Sequence, residues 1–173
     1  MDPDRATSGR PKREQNLASD LMVLDGLLYT LTGVLDMREV FDRVSQLVQP
    51  VLPHDMLGVL EVCENRDMLR IYVNAGDKDA AQNYEALNPF PELMTWDYLI
   101  LNDIPTNPAI SKSPATGIGM VSVLTLPVRF GGQLQAAVNF FSRKEGWFNE
   151  EDVPLARKIA NHLALALSHF RLA

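Results

Sequence analysis

The sequence has one cysteine and three histidines among its 173 residues, and this scarcity excludes several kinds of chemistry. Cys63 cannot form an internal disulfide, and an oxidised Cys63 would have no second cysteine to resolve it. We interpret Cys63 as a small core residue on a strand, in keeping with a reducing cytoplasm. His162 and His169 are two helical turns apart, about 10 Å, which is too far to share a metal ion. We therefore expect no catalytic residue, no metal site and no bound cofactor.

Long apolar runs are also missing. No segment approaches the roughly 18 consecutive apolar residues that a membrane-spanning helix needs. No apolar stretch follows the basic residues near the N-terminus, as it would in a secretory signal. Acidic residues exceed basic ones, for a formal net charge of −6, which argues against non-specific nucleic-acid binding. We expect a cytoplasmic protein without a membrane partner and without direct nucleic-acid contact.

The N-terminal residues 1–16 are polar and contain two prolines and a glycine, which predicts a disordered segment. The hydrophobic fraction of 46% and the charged fraction of 22% are those of a globular protein, so we expect one domain over residues 17–173. A first amphipathic helix is predicted by leucines at spacings of four and three, which form a coiled-coil-like seam: Leu17, Leu21, Leu24, Leu28 and Leu31.

A second helix is predicted to begin at Asp36, because Glu39 stands three residues further on, as in a capping box. Pro50 and Pro53 end this helix. Its buried face consists of apolar residues at helical spacing: Val40, Phe41, Val44, Leu47, Val48 and Val51.

The next segments predict strands. Residues 56–62 and 69–73 are apolar runs joined by a polar turn, which indicates a β-hairpin. Residues 75–119 are irregular, because five prolines break any long helix, although residues 96–101 fit a short strand. A loop-rich stretch of this length inside a compact domain is usually functional or mobile.

The C-terminal part predicts a second hairpin and a last helix. Residues 121–128 and 134–142 are strand-compatible and flank Gly131-Gly132, a pair able to adopt the positive φ angles of a hairpin turn. Asn149 can cap a short turn, and regular helix is expected from about Val153, which keeps the following proline in the first turn. The apolar surface of this helix is wider than one stripe, so we expect two buried faces.

The predicted order of helices and strands indicates an α+β fold with an antiparallel sheet. Over roughly residues 17–173 this order resembles a GAF domain, a small-molecule sensor module of signalling proteins. The most specific similarity lies in residues 138–142, 148–152 and 160–169, which are similar to the N-terminal sensor domains of bacterial sigma-54-class transcriptional activators and of some sensor kinases. The resemblance implies a profilin-like sheet of five or six strands. It also implies that the first, second and last helices pack on one face, with loops and short helices over a pocket on the other.

Polar residues in otherwise apolar strands point to the pocket face. Strand alternation separates Asn139 from the apolar face of its strand, and Thr125 and Glu61 are expected on the same side as Asn139. A buried polar group without a partner costs roughly 1–3 kcal/mol, which a bound ligand or water relieves. Solvent exposure or bonding to a covering loop is the alternative for these three residues.

Three aromatic residues of the irregular segment, Phe90, Trp96 and Tyr98, are candidates for the walls of this pocket. An apolar cavity with a few polar groups is the usual form of a small-molecule site. The alternative is that these aromatic side chains only anchor the segment to the sheet.

The leucine seam of the first helix and the apolar stripe of the last are expected to form a homodimer interface across a two-fold axis, as the resemblance implies. The positions assigned to this interface are Ala160, Leu163, Leu167 and Phe170 of the stripe and Leu17, Leu21, Leu24 and Leu28 of the seam. The last helix reaches Ala173 without a Gly or Pro stop, so we expect an output domain beyond it.

These observations predict a non-enzymatic sensor that binds an unknown small effector and signals through dimeric helices to a transcriptional or kinase output. A dimerisation or protein-interaction module without a ligand is the first alternative. A redox or haem-linked sensor is the second.

Overall fold

The computed structural model describes Met22 and residues 37–65, 67–81, 84–90 and 95–172 of the chain. The predicted helix over Leu17–Leu31 lies outside these residues, apart from Met22. The cap at Asp36 also lies outside them. The described helices are α1 (Met37–Val48), α2 (Pro114–Gly117) and α3 (Val153–Leu172). The strands are β1 (Met56–Val62), β2 (Met68–Ala75), β3 (Glu85–Leu87), β4 (Leu99–Leu101), β5 (Ser122–Phe130) and β6 (Gln133–Ser142).

The six strands form one antiparallel sheet in the order β3-β2-β1-β6-β5-β4. Both predicted hairpins are confirmed, and Gly131 and Gly132 have the positive φ angles of 58° and 78° that the turn between β5 and β6 was expected to need. The pairing of β5 with β6 shifts by one residue at Gln135, where a β-bulge interrupts the simple alternation of faces.

One face of the sheet packs against α1 and α3. Phe41 and Val44 of α1 and Ile159 of α3 are fully buried there, in one apolar cluster with Leu126 of β5 and Phe140 of β6. These helices carry their apolar residues at spacings of three and four, so one stripe of each reaches the sheet. The expected placement of the second and last helices on a common face is confirmed.

The start of α3 also follows the sequence prediction. Residues Glu150–Asp152 form a short 3₁₀ turn, and regular helix begins at Val153. The Asn149 side chain accepts a hydrogen bond from the N–H of Glu151, and the Asp152 carboxylate accepts one from the N–H of Asn149 at 3.0 Å. This reciprocal capping box places the proline of α3 in its first turn, where it does not break the helix.

The opposite face of the sheet is covered by the segments that follow β2 and β4. A second group of buried apolar side chains joins these segments to the sheet: Met56, Ala80, Ile104, Met120 and Val123. The segment after β4 contains a short 3₁₀ turn, Ile104–Thr106, and the one-turn helix α2. Of the strand expected over residues 96–101, only Leu99–Leu101 is formed, and the edge strand β3 was not predicted.

Candidate functional site

A cavity of about 160 Å³ lies between the sheet and its covering segments, on the face away from α1 and α3. Its floor is formed by side chains of five strands, and its roof by residues 84–90 and 104–118. The lining is mostly apolar, with Leu60, Ile71, Leu101 and Phe141 on the floor. An apolar space with a few polar groups is the usual form of a small-molecule site.

The polar groups of the floor lie in one row that crosses the sheet. Asn74 of β2 is opposite Gly58 of β1, Gly58 is opposite Asn139 of β6, and Asn139 is opposite Thr125 of β5. Asn74, Thr125 and Asn139 all line the cavity and are buried to more than nine tenths. Because directly opposite residues of antiparallel strands project from the same face, four neighbouring strands bring these side chains together.

Thr125 and Asn139 are hydrogen-bonded to each other. The hydroxyl of Thr125 donates to Oδ1 of Asn139 at 2.7 Å. Among the described residues, no acceptor receives a hydrogen bond from Nδ2 of Asn139. The two N–H groups of this amide therefore remain as donors at the cavity floor.

Gly58 and Asn74 shape the other half of the row. Nδ2 of Asn74 donates to the carbonyl of Ala81 at 2.7 Å, which ties β2 to the covering segment. A Cβ added at Gly58 would lie only 2.1 Å from Oδ1 of Asn74. The glycine therefore leaves space for the Asn74 side chain to extend over the neighbouring strand.

The cavity contains three of the six residues that the sequence predicted for ligand contact, namely Phe90, Thr125 and Asn139. Their contact with a ligand stays a prediction. Asn74 and Gly58 were missed, although a glycine and an asparagine inside two otherwise apolar strands are signals of close backbone approach and of a buried polar group.

Glu61 lies on the other face of the sheet, which corrects the expectation that it shares a face with Thr125 and Asn139. It is opposite Ala136 of β6, and Ala136 packs against the helix-side core. The Glu61 carboxylate is buried and accepts a hydrogen bond from Arg70 on the neighbouring strand. Its charge is thus paired across the sheet, and it is not among the described residues that line the cavity.

Trp96 and Tyr98 also differ from their expected role as cavity walls. Trp96 is 37% exposed, and its carbonyl accepts a hydrogen bond from Arg129 at 2.7 Å. The Tyr98 hydroxyl donates to the Glu150 carboxylate at 2.9 Å, and this bond raises the pKa of Tyr98. Both residues precede β4 at the edge of the sheet and lie outside the described lining of the cavity. Trp96 contacts β5 there, and Tyr98 contacts the turn that precedes α3.

Arg157 reinforces this junction between α3 and the sheet edge. Its guanidinium donates to the carbonyls of Pro127 in β5 and of Asp97, directly before Tyr98. Burial lowers the pKa of Arg157, and the nearby Asp97 carboxylate opposes that effect. The lead-in to β4, a strand whose Leu99 and Leu101 face the cavity, is therefore attached to the last helix.

Ala160 and Leu163, which the sequence analysis assigned to a dimer interface, lie instead in the core of the chain. Both are fully buried in the core between α3 and the sheet of a single chain, so they have no surface to offer a second copy. Leu165 is exposed on the same helix. The remaining assigned positions lie outside the described side chains: Leu17, Leu21, Leu24, Leu28, Leu167 and Phe170. The homodimer itself stays a prediction.

His54, just before β1, forms a separate buried polar cluster with Ser45 of α1 and the Leu52 carbonyl. Its Nε2 is 2.8 Å from the Ser45 hydroxyl, and its Nδ1 is 2.7 Å from the Leu52 carbonyl. A neutral ring satisfies both contacts, with Nδ1–H donating to the carbonyl and Nε2 accepting from the hydroxyl. Burial lowers the pKa of His54. The described residues contain no group of three or more side chains able to hold a metal ion.

Among the described helices, none combines the length and the apolar character needed to cross a bilayer. A family model described as "GAF domain" matches residues 34–168. No curated protein matches the sequence.

Several solved structures share the fold. The GAF domain of a phosphoenolpyruvate-protein phosphotransferase from Coxiella burnetii is 18% identical, with a TM-score of 0.71 over 91% of this chain and 97% of that one. The phycocyanobilin-bound GAF domain of a cyanobacterial phytochrome is 12% identical, with a TM-score of 0.68 over 88% and 96%. A free methionine-R-sulfoxide reductase from Neisseria meningitidis, solved with its substrate, is 14% identical, with a TM-score of 0.66 over 92% and 95%.

Proposed function

Because this chain belongs to the GAF domain family, we propose that it is a regulatory domain that binds a small effector in the cavity and transmits occupancy through α3. The observation that carries this proposal is the polar row on the floor of an otherwise apolar cavity. Asn139 keeps its amide N–H groups available there while more than nine tenths of the residue is buried. Such a group is costly in an empty apolar space and is relieved by a ligand or a water molecule.

The attachment of β4 to α3 supports a route for the signal. A ligand that displaces Leu99 or Leu101 moves the strand whose lead-in is bonded to Arg157. The last helix can then have one position with the cavity filled and another with it empty. Ligand shifts this equilibrium only as far as it binds one arrangement better than the other.

The output that we propose is transcriptional activation of the sigma-54 class or control of a kinase, in a cytoplasmic homodimer. The support is the sequence similarity of residues 138–142, 148–152 and 160–169 to such sensors and the exposed side of α3, which includes Leu165. A binding role is favoured over thiol chemistry in the cavity, because Cys63 follows β1 and is not among the described residues that line it.

A thermal-shift screen of small metabolites tests the proposal. Compounds that raise the melting temperature are tested again on Ala115→Phe, which places a phenyl ring in the cavity from α2. Ala109→Phe makes the same change at an exposed turn and is the matched control. Stabilisation that survives in Ala109→Phe and disappears in Ala115→Phe supports a sensor with this cavity as its site. If no compound behaves in this way, the proposal is wrong.

A further inference from the structure

The walls of the cavity restrict the charge of its ligand. None of the described residues that line it is an aspartate, glutamate, lysine, arginine or histidine. An ionic ligand would lose its hydration there without meeting an opposite charge, which costs far more than burying a neutral group of the same shape. The described part of the lining therefore favours uncharged molecules.

The volume restricts the size of the ligand. The cavity measures about 160 Å³. An apolar protein cavity of about 150 Å³ is known to admit benzene, so a space of this volume holds a single ring with a short substituent. A molecule with several fused or linked rings exceeds this volume.

The polar row restricts the chemistry of the ligand further. Oδ1 of Asn139 is engaged by the Thr125 hydroxyl, and Nδ2 keeps its donors free of acceptors among the described residues. The complementary group on a ligand is an acceptor, such as a carbonyl oxygen. An acceptor placed over Asn139 satisfies this buried amide, while the rest of the ligand meets apolar side chains.

We infer that the cavity takes a neutral, compact, mostly apolar molecule of about one ring that carries a hydrogen-bond acceptor oxygen directed at Nδ2 of Asn139. This inference rests on the proposed function, because it presupposes that the cavity is a ligand site. It adds the chemical class of the ligand and the residue that recognises its oxygen.

Three probes of nearly the same shape test the class: acetophenone is neutral with an acceptor, isopropylbenzene is neutral without one, and benzoate is charged. Dissociation constants for the chain are measured by isothermal titration calorimetry. Acetophenone and isopropylbenzene should both bind, and benzoate should bind at least about 100-fold more weakly than acetophenone. Benzoate that binds as tightly as acetophenone overturns the inference, and so does the failure of both neutral probes to bind.

Variants test the role of Asn139. Asn139→Leu should weaken acetophenone about threefold to tenfold relative to isopropylbenzene, the effect of one lost neutral hydrogen bond. Isopropylbenzene corrects for any change in cavity shape, and Asn161→Leu on the exposed side of α3 is the matched control. An unchanged ratio in Asn139→Leu overturns the assignment of Asn139 as the donor.

An NMR measurement on the unchanged chain tests the same hydrogen bond without relying on a variant that could fail to fold. The side-chain amide resonances of Asn139 should shift with acetophenone and stay nearly constant with isopropylbenzene. Equal shifts with both probes count against the hydrogen bond. If the metabolite screen finds only charged compounds that are sensitive to Ala115→Phe, the sensor proposal holds and the inferred ligand class is wrong.

Discussion

Oδ1 of Asn74 lies 2.1 Å from the point where a side chain on Gly58 would begin, on the neighbouring strand of the cavity floor. Alanine normally stabilises a strand interior relative to glycine by roughly 0.5–1 kcal/mol. Gly58→Ala should instead destabilise the chain by about 1–3 kcal/mol, because Asn74 is held by its bond to Ala81 and has to move. Urea unfolding measures this change.

The same substitution made together with Asn74→Ala provides the control. With the Asn74 side chain removed, Gly58→Ala should cost little or be stabilising, so the two changes are strongly non-additive. Equal destabilisation by Gly58→Ala in both backgrounds would show that the contact with Asn74 is not the cause.

Arg157→Met should release the lead-in of β4 from α3. The guanidinium bonds to the carbonyls of Asp97 and Pro127 are lost, while the side chain keeps most of its apolar length. We expect a loss of about 1–3 kcal/mol and faster hydrogen exchange of amides in residues 95–99. Lys158→Met, the same kind of change at the neighbouring exposed position, should leave both unchanged. Unaltered exchange in Arg157→Met would argue against this attachment.

The stability of the chain should fall as the pH is lowered below about 6.5, the ordinary pKa of histidine. Burial lowers the pKa of His54 in the folded state, so below pH 6.5 the unfolded chain binds a proton that the folded chain does not. The contribution of His54 is fully present above pH 6.5 and is lost towards its lower, folded-state pKa. Urea midpoints between pH 5 and 7.5 measure this slope.

One variant identifies the source of the pH dependence. His54→Gln should flatten the slope, whatever its effect on absolute stability. Hydrogen bonds from the Asp79 N–H and from Arg143 lower the pKa of Asp77 below its ordinary value of 3.8. Protonation of Asp77 therefore affects stability only below about pH 3.8, outside the interval from pH 5 to 7.5. An unchanged slope in His54→Gln would contradict the assignment.

Asn149→Ala should cost about 1 kcal/mol, because the first turn before α3 loses the side chain that accepts the N–H of Glu151. Asn149→Ser keeps an acceptor at the same place and should retain most of the stability. The free energies of unfolding of the two variants show whether Asn149 stabilises the chain as a helix cap or is an asparagine without a structural role. Equal stability of Asn149→Ala and the unchanged chain would exclude a role for the cap.

Local patterns in the sequence predicted the local parts of this fold. The box of Asn149 and Asp152 and the turn at Gly131-Gly132 depend on residues a few positions apart, and both are present as expected. The strands β5 and β6 were found for the same reason, since their pairing needs only a short turn.

The errors concern contacts between distant parts of the chain. Alternation showed that Val59 and Glu61 share a face, but only the pairing of β1 with β6 decides that this face is the helical one. The apolar stripe on α3 likewise does not show whether it packs against the sheet or against a second chain. Ala160 and Leu163 pack against the sheet. Tyr98 is placed by a bond to Glu150, 52 positions away in the chain, which no local pattern contains.

The two outermost strands of the sheet, β3 and β4, have only three residues each. A three-residue strand has few peptide groups on its outer side, so β3 and β4 themselves give another chain little template on which to extend the sheet. Pairing of two copies through β3 or β4 would therefore join only three residues from each copy.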